Sequence, residues 1–502
     1  LSLNLLIIDI QNNVDNGAYT LASISQVMGK IIGLQKQYGF KINTTWADMA
    51  INVNVPRAKS GITMEFQTMM NNITVKQADV ILRIFPLSPT ENYTLNDKMM
   101  DLAYYLQKQT ADGPGMTFAI AAIAENLVSK SGCATFTWDL QARIPNYRAP
   151  WFQMSEQAND DVNANGGIPP AFPFLTGHGG SLQIAPFGYL GLDLGQNTLT
   201  IQPSLPPPYK YIGIQDFYFK GALFRASLNS THTNLTRLQT PQIEVLSDPH
   251  TTSPVNVTVG HQNGRNLPRF YNLLVNQTIT IANDMYWQHS TTPFNILQCQ
   301  TTYSKVENSP GQWPGAATDG SAGTRWQPST REASNLTVST NLVPYQQITQ
   351  INLDWGGRTP LKARVGLTNR TTVTSLEDDG VWVIPIPVVL NQVYGQNLTD
   401  FEVLPYIGNR TEYLLPTDPP IWSGDWAILE VEGCIGCGWP HPTMLTNGTV
   451  MLGEEDCLGA TVGEFEIIGT KETNLMRVMG EQSAVERKGL EDDVQDVAER
   501  AV

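Results

Sequence analysis

Charge is what this sequence has least of. Lys, Arg, Asp and Glu make up 15% of its 502 residues, against about 25% in an ordinary globular protein. That excludes a charge-rich coiled coil or a disordered polyelectrolyte, and a 41% hydrophobic share supplies material for cores. Basic residues are the scarcer sign: 31 Lys and Arg face 46 Asp and Glu, for a net charge of −15. A polyanion repels nucleic acid and anionic membrane surfaces, so neither is an expected partner. Long apolar runs are missing too. The apolar start Leu1 to Ile8 falls short of the ~20 residues that cross a bilayer, and it lacks a signal peptide's charged lead and cleavage pattern. No transmembrane segment is predicted. Residue 1 is Leu, and the chain is read as lacking its true beginning. Its length fits about two to four domains.

Cysteine is also sparse: Cys133, Cys299, Cys434, Cys437 and Cys457. The odd number leaves at least one unpaired if the others form disulfides within the chain. Cys434 and Cys437 with His441 and Cys457 match no common zinc spacing well. The three clustered cysteines are expected to include one disulfide, and no metal or cofactor is predicted.

Asn-x-Thr sequons are abundant. They stand at Asn43, Asn72, Asn92, Asn229, Asn234, Asn256, Asn276, Asn335, Asn369, Asn397, Asn409 and Asn447. The composition would give roughly five by chance. The excess points to N-glycosylation and a secretory route ending in an extracellular, periplasmic or vacuolar place.

Two textures divide the chain. From residue 18 to about 192, apolar residues recur at helical spacing. Ile24, Val27, Met28, Ile31 and Ile32 form one stripe, and Leu95, Met99, Leu102, Ala103 and Leu106 another. The run Met116 to Val128 is apolar nearly all round and belongs inside a helical assembly. After Gly195, strand-forming residues alternate with turn residues every 8 to 12 positions, the pattern of antiparallel sandwiches. This predicts a helical domain over 1–195, a β-sandwich over 196–300, a second sandwich region over 301–470 and a charged tail over 471–502.

The chemistry concentrates between Asp112 and Gly180. One piece is Gly113-Pro114-Gly115-Met116-Thr117-Phe118-Ala119-Ile120. A second is Tyr147-Arg148-Ala149-Pro150-Trp151-Phe152-Gln153-Met154-Ser155-Glu156-Gln157, and a third Pro173-Phe174-Leu175-Thr176-Gly177-His178-Gly179-Gly180. Aromatic faces such as Trp151 stack on sugar rings, while amides, His178 and carboxylates bond hydroxyls. Glu156, between Ser155 and Gln157 and just past Trp151 and Phe152, is a candidate base; a solvated surface carboxylate is the commoner fate of a single Glu.

Together these pieces resemble the fungal acid trehalases of glycoside hydrolase family 65. The resemblance starts at Asn12-Asn13-Val14-Asp15-Asn16-Gly17-Ala18-Tyr19 and includes Ile73-Thr74-Val75-Lys76-Gln77-Ala78-Asp79-Val80. It ends near Ala460-Thr461-Val462-Gly463-Glu464-Phe465. It implies a multidomain chain: the C-terminal half of an (α/α)6 helical barrel followed by antiparallel β-sandwich domains. It also implies hydrolysis of α,α-trehalose to two glucose molecules with inversion. In that reaction one carboxyl protonates the leaving oxygen while another activates water across a gap of ~6.5–9.5 Å. Glu156 matches the family's general base. Lys76 and Gln77 match the pair that grips hydroxyls of the non-reducing glucose; without the resemblance Lys76 reads as a solvated helix-end charge. The family's general acid lies in Asp-Pro-Asp-Glu-Tyr, where this chain has Leu6-Ile7-Ile8-Asp9-Ile10-Gln11. Asp9 falls at the acid's register position, one methylene shorter and among apolar neighbours, which raise a carboxyl pKa. The first ten residues otherwise read as unrelated sequence, so the chain is expected to be N-terminally truncated, and weakly active or inactive alone.

Ala316-Ala317-Thr318-Asp319-Gly320, followed by Thr324-Arg325-Trp326, resembles the start of a discoidin-like β-sandwich, making the second sandwich a module for cell-wall glycan or a structural prop. Two other functions compete with trehalose hydrolysis. One is an α-glucoside phosphorylase of the same family, which Glu156 disfavours because phosphate there replaces the water-activating base. The other is a non-catalytic glycan-binding secreted protein, which the missing acid motif favours.

Overall fold

The computed structural model describes residues 14–71, 75–87, 93–109, 113–163, 165, 167–193, 198–240, 253–260, 267–340, 347–370, 373, 375–388, 402–405, 409–416, 421–422, 424–435, 442–444, 450–452 and 458–469. Its helices are α1 (Ala18–Gln37), α2 (Thr44–Asn52), α3 (Leu95–Lys108), α4 (Thr117–Val128), α5 (Ala134–Gln141) and α6 (Leu175–Gln183). A short hairpin, β1 (Tyr147–Arg148) and β2 (Gln153–Met154), interrupts them. A π turn, Ile184–Tyr189, follows α6 directly.

Helix α4 is buried on every side except at Ile120, as an all-round apolar segment requires. Helix α3 starts at a capping box: Thr94 Oγ1 accepts the Asp97 N–H, and the Asp97 carboxylate accepts the Thr94 N–H. Of the predicted stripe, Leu102 and Leu106 are buried and Leu95 and Met99 half-buried, but Ala103 is exposed, and Asp101, Tyr104 and Tyr105 are buried as well. Hydrogen bonding makes this possible. The Asp101 carboxylate accepts the Thr63 N–H at 2.8 Å and the Tyr93 hydroxyl at 2.9 Å, with Arg83 3.8 Å away. A buried carboxylate so satisfied is tolerated where an orphan would not be. Helix α1 forms where predicted, but Val27 and Leu34 remain about half exposed.

Strands then take over: β3 (Leu199–Ile201), β4 (Tyr211–Phe219), β5 (Ala222–Asn229), β6 (His232–Leu238), β7 (Val255–Val259), β8 (Arg269–Leu273) and β9 (Thr278–Ala282). They make a sheet β3-β7-β8, in which β3 and β7 run parallel, and an antiparallel sheet β4-β5-β6-β9. One continuous apolar core joins both sheets to the helices.

The remaining strands are β10 (Thr302–Ser304), β11 (Ser334–Ser339), β12 (Gln347–Asp354), β13 (Lys362–Thr368), β14 (Trp382–Ile386), β15 (Arg410–Leu414), β16 (Ile421–Trp422), β17 (Trp426–Glu432), β18 (Pro442–Met444), β19 (Val450–Leu452) and β20 (Glu464–Gly469), and a second core lies among β11, β12, β13, β14, β17 and β20. A five-stranded sheet β10-β11-β17-β13-β14 faces a sheet in which β12 pairs with β15, β16 and β20. Strand β11 buries every second residue, the mark of a strand with one face inward. Leu336, Val338, Ile351, Leu353, Val365, Leu429, Phe465 and Ile467 fill the space between the sheets with Trp326 and Trp355. This is a β-sandwich.

The sandwich is fastened to the helices. Cys133 and Cys299 form a disulfide. The Cys133 N–H donates to the Asp319 carbonyl at 2.7 Å, and the Thr137 hydroxyl to the Asp319 carboxylate at 2.6 Å. Gly323 lies so close to α3 that an added Cβ would stand 2.6 Å from Leu106 Cβ. Cys434 is also disulfide-bonded; Cys437 and Cys457, which share its cluster, lie outside the described residues.

Candidate active site

Glu156 is held in place by backbone. Its N–H donates to the Ala171 carbonyl at 3.0 Å, and the Ala171 N–H returns a bond to Glu156 Oε2 at 3.0 Å. The Glu156 carbonyl accepts the Gly115 N–H at 2.8 Å and Asn146 Nδ2 at 3.1 Å. Asn146 Nδ2 also donates to the Ser155 carbonyl at 3.0 Å, and Ser155 N–H donates back to the Asn146 carbonyl at 2.8 Å. Gly115 is needed for this approach: a Cβ there would sit 2.7 Å from Asn146 Nδ2. Downstream, Arg148 ties the loop through the Gln157 and Ala158 carbonyls and the Asp160 carboxylate.

The Glu156 side chain is half-buried, and among the described residues it has no ion pair. The carboxylate is oriented by the Ala171 amide N–H.

Lys76 and Gln77 sit on a segment anchored to the end of α3. The Val75 N–H donates to the Lys108 carbonyl at 3.0 Å, and Val75 bridges to Gln109. On the other side, the buried Glu65 carboxylate accepts the Asp79 N–H at 2.9 Å. Both Lys76 and Gln77 are half-buried, and Gln77 Oε1 is a buried acceptor without a partner. The loop from Gly113 to Met116, which bonds Glu156, connects the same end of α3 to α4.

Trp151 and Phe152 cap the β1–β2 turn. They are 82% and 62% exposed, large apolar faces turned to solvent. His178 turns inward instead. Its Nε2 accepts the Met154 N–H at 3.0 Å, and its ring stacks on Tyr147 at 6.1 Å. Asp9 lies outside the described residues. So do the sequons Asn72, Asn92, Asn397 and Asn447. Asn229, Asn234, Asn256, Asn276 and Asn369 are exposed, and Asn43 and Asn335 half-buried. Asn409 corrects the sequon reading: it is fully buried and donates Nδ2 to the Gly356 carbonyl at 3.1 Å, so this fold has no room for a glycan there. A water-sized cavity lies elsewhere, lined by Gln109, Phe118, Trp138, Gln141, Gln312 and Arg325; Glu156 is not in its wall.

One acidic niche escaped the sequence reading. Asp319 is fully buried, accepting the Thr137 and Thr324 hydroxyls and the Ser321 N–H. Burial pushes its carboxyl up to about 8. The Glu464 side chain is buried beside Asp319, close to the Gly320 backbone. Burial first, then the nearby Asp319, raises Glu464 well above the usual carboxylate range. Among the described residues no group of three or more His, Cys, Asp or Glu could hold a metal. Asp319 and Thr324 were visible in one motif; Glu464 is far along the chain and joins them only in the fold.

No helix among the described residues is long and apolar enough to cross a membrane. No family model matches the chain. Curated relatives do. A cell wall acid trehalase of Arthroderma benhamiae is 36% identical over 481 residues, covering 91% of this chain and 44% of the relative. An acid trehalase of Emericella nidulans is 34% identical over 473 residues, covering 92% of this chain and 43% of the relative. A solved structure of a putative kojibiose phosphorylase from human microbiome aligns with a TM-score of 0.40 at 13% identity, over 56% of this chain and 42% of its own. The chain spans less than half the length of the two trehalases. Over about nine-tenths of its residues, it is a homologue of the fungal acid trehalases of glycoside hydrolase family 65.

Proposed function

We propose that this chain supplies the general base and part of the sugar site of an inverting α,α-trehalase. Glu156 takes a proton from water as that water attacks the anomeric carbon, and a second carboxyl across the bond protonates the leaving glucose. The observation that carries this reading is the Glu156 carboxylate itself: fixed by the Ala171 N–H at 3.0 Å and not spent on an ion pair among the described residues. Lys76 and Gln77, on their braced segment, bond hydroxyls of one glucose, and the exposed face of Trp151 stacks on a ring. Asp9 keeps the register of the acid but lacks the family's motif around it. The chain alone is accordingly weakly active or inactive, and the activity belongs to a longer protein that includes it.

The helical region in this reading is the C-terminal half of an (α/α)6 barrel, with boundaries near residues 195 and 300, and the second sandwich is discoidin-like. Its surface contacts cell-wall glycan. The relatives named for the cell wall, the exposed sequons and the disulfide support a secreted or vacuolar location.

The test is an NMR spectrum of fresh product from the longer protein, taken before mutarotation. One α-glucose and one β-glucose per trehalose, released without phosphate, is the expected result. Two α-glucoses, or a strict need for phosphate, would reject it.

A further inference from the structure

We propose that His178 is a proton-operated positioning residue: its neutral imidazole holds the strand that leads into Glu156, and protonating it lets that strand go. This rests on the reading of Glu156 as general base.

A ring nitrogen that accepts a hydrogen bond carries no proton. His178 Nε2 accepts the Met154 N–H at 3.0 Å, so the ring's proton sits on Nδ1. Imidazolium has two N–H donors and no acceptor. On protonation, Nε2–H would point at Met154 N–H, donor against donor. Met154 is fully buried, so its amide has no water to turn to. Strand β2 ends at Met154, two residues before Glu156. The remaining tethers of Met154 are its pairing with Tyr147 and its carbonyl, which accepts the Phe174 N–H at 2.7 Å.

The ring's surroundings are well defined. On β1 stand Tyr147, which the imidazole stacks on, and Arg148, closed onto Asp160. Past β2 is Glu156, on the Ala171 N–H. Helix α6 has no other titratable side chain. Of its packing partners, α4 carries Glu125, hydrogen-bonded by Ser129, and the π turn carries Tyr189, bonded to Asp139. Of these groups, the imidazole is the one whose protonation removes the acceptor that Met154 N–H uses. The device would set a lower pH limit on the base's alignment.

Three readouts test it. In the wild-type chain, ¹⁵N NMR should show neutral His178 as the Nδ1–H form. Hydrogen exchange of the peptide over 153–157, corrected for intrinsic rate, should quicken about tenfold or more as the ring protonates. His178→Gln offers an amide oxygen that accepts at every pH. In the longer active protein it should move the acid limb of kcat to lower pH and leave KM nearly unchanged. An Nε2–H tautomer, pH-independent exchange, or an unmoved acid limb would each overturn the proposal. Full turnover by Glu156→Gln would instead fault the assignment of the base, without touching the NMR and exchange results.

Discussion

Asn146 offers a direct way to weigh the scaffold under Glu156. It is 2% exposed, and its Nδ2 donates to the carbonyls of Ser155 and Glu156 at 3.0 and 3.1 Å. Asn146→Asp keeps the shape and removes both donors. Each lost bond costs about 1 kcal/mol, and the Ser155 carbonyl left unpaired about 1–3 more, while the Glu156 carbonyl keeps the Gly115 N–H. The new carboxylate would face two carbonyl oxygens at bonding distance. The expected loss is about 3–5 kcal/mol, the range of broken buried networks. Gly115 supplies a control. Gly115→Ala places a Cβ 2.7 Å from Asn146 Nδ2, so it should destabilise by displacing that side chain. In an Asn146→Ala background the clash partner is gone, and the same change should cost about 0.5 kcal/mol or less. Urea denaturation of the four proteins measures the coupling. Additive losses, or an Asn146→Asp chain as stable as wild type, would show that Asn146 does not clamp this loop.

Other expectations are briefer. Gly323→Ala pushes a Cβ to 2.6 Å from Leu106 Cβ and should cost about 1–3 kcal/mol, read by thermal unfolding; a neutral change would mean the sandwich and α3 are not in close contact. Asp319 and Glu464 are both raised, so the folded chain binds protons the unfolded chain has lost. Stability should therefore fall as pH rises from the ordinary carboxylate range through about 8. An unfolding midpoint indifferent to pH over that range would contradict the niche. Peptide mapping of secreted protein should find glycans at Asn229, Asn234 or Asn256 and none at Asn409; an occupied Asn409 would contradict the fold around β15.

Much of the architecture was legible in the sequence. The all-round apolar run ending at Val128 became buried α4, and the change of texture after Gly195 separates helices from the strands that begin at Leu199. Periodicity put Leu102 and Leu106 on the buried face of α3 but missed Asp101 and the tyrosines, because it scores them as polar while a hydrogen-bonded network buries them. It also could not show that the first two sheets share their core with the helices, since that depends on contacts distant in sequence. The motifs singled out Glu156 and Lys76 as candidates but not what holds Glu156: the Asn146 side-chain amide on two backbone carbonyls and the Ala171 backbone N–H, which no sequence pattern announces. His178 was read as a sugar ligand from its glycine-rich surroundings; its hydrogen bond to Met154 is invisible without coordinates. Asp319 and Glu464 are far apart in sequence and meet where β20 packs on the short helix Pro314–Thr318 that leads into Asp319.

The central claim is that the Glu156 carboxylate activates water. The measurement that reaches it most directly is kcat for trehalose of Glu156→Gln in the longer protein. The change keeps an acceptor for the Ala171 N–H and removes the base. Turnover should fall roughly 10²–10⁴-fold with KM little altered; turnover equal to wild type would place the base elsewhere.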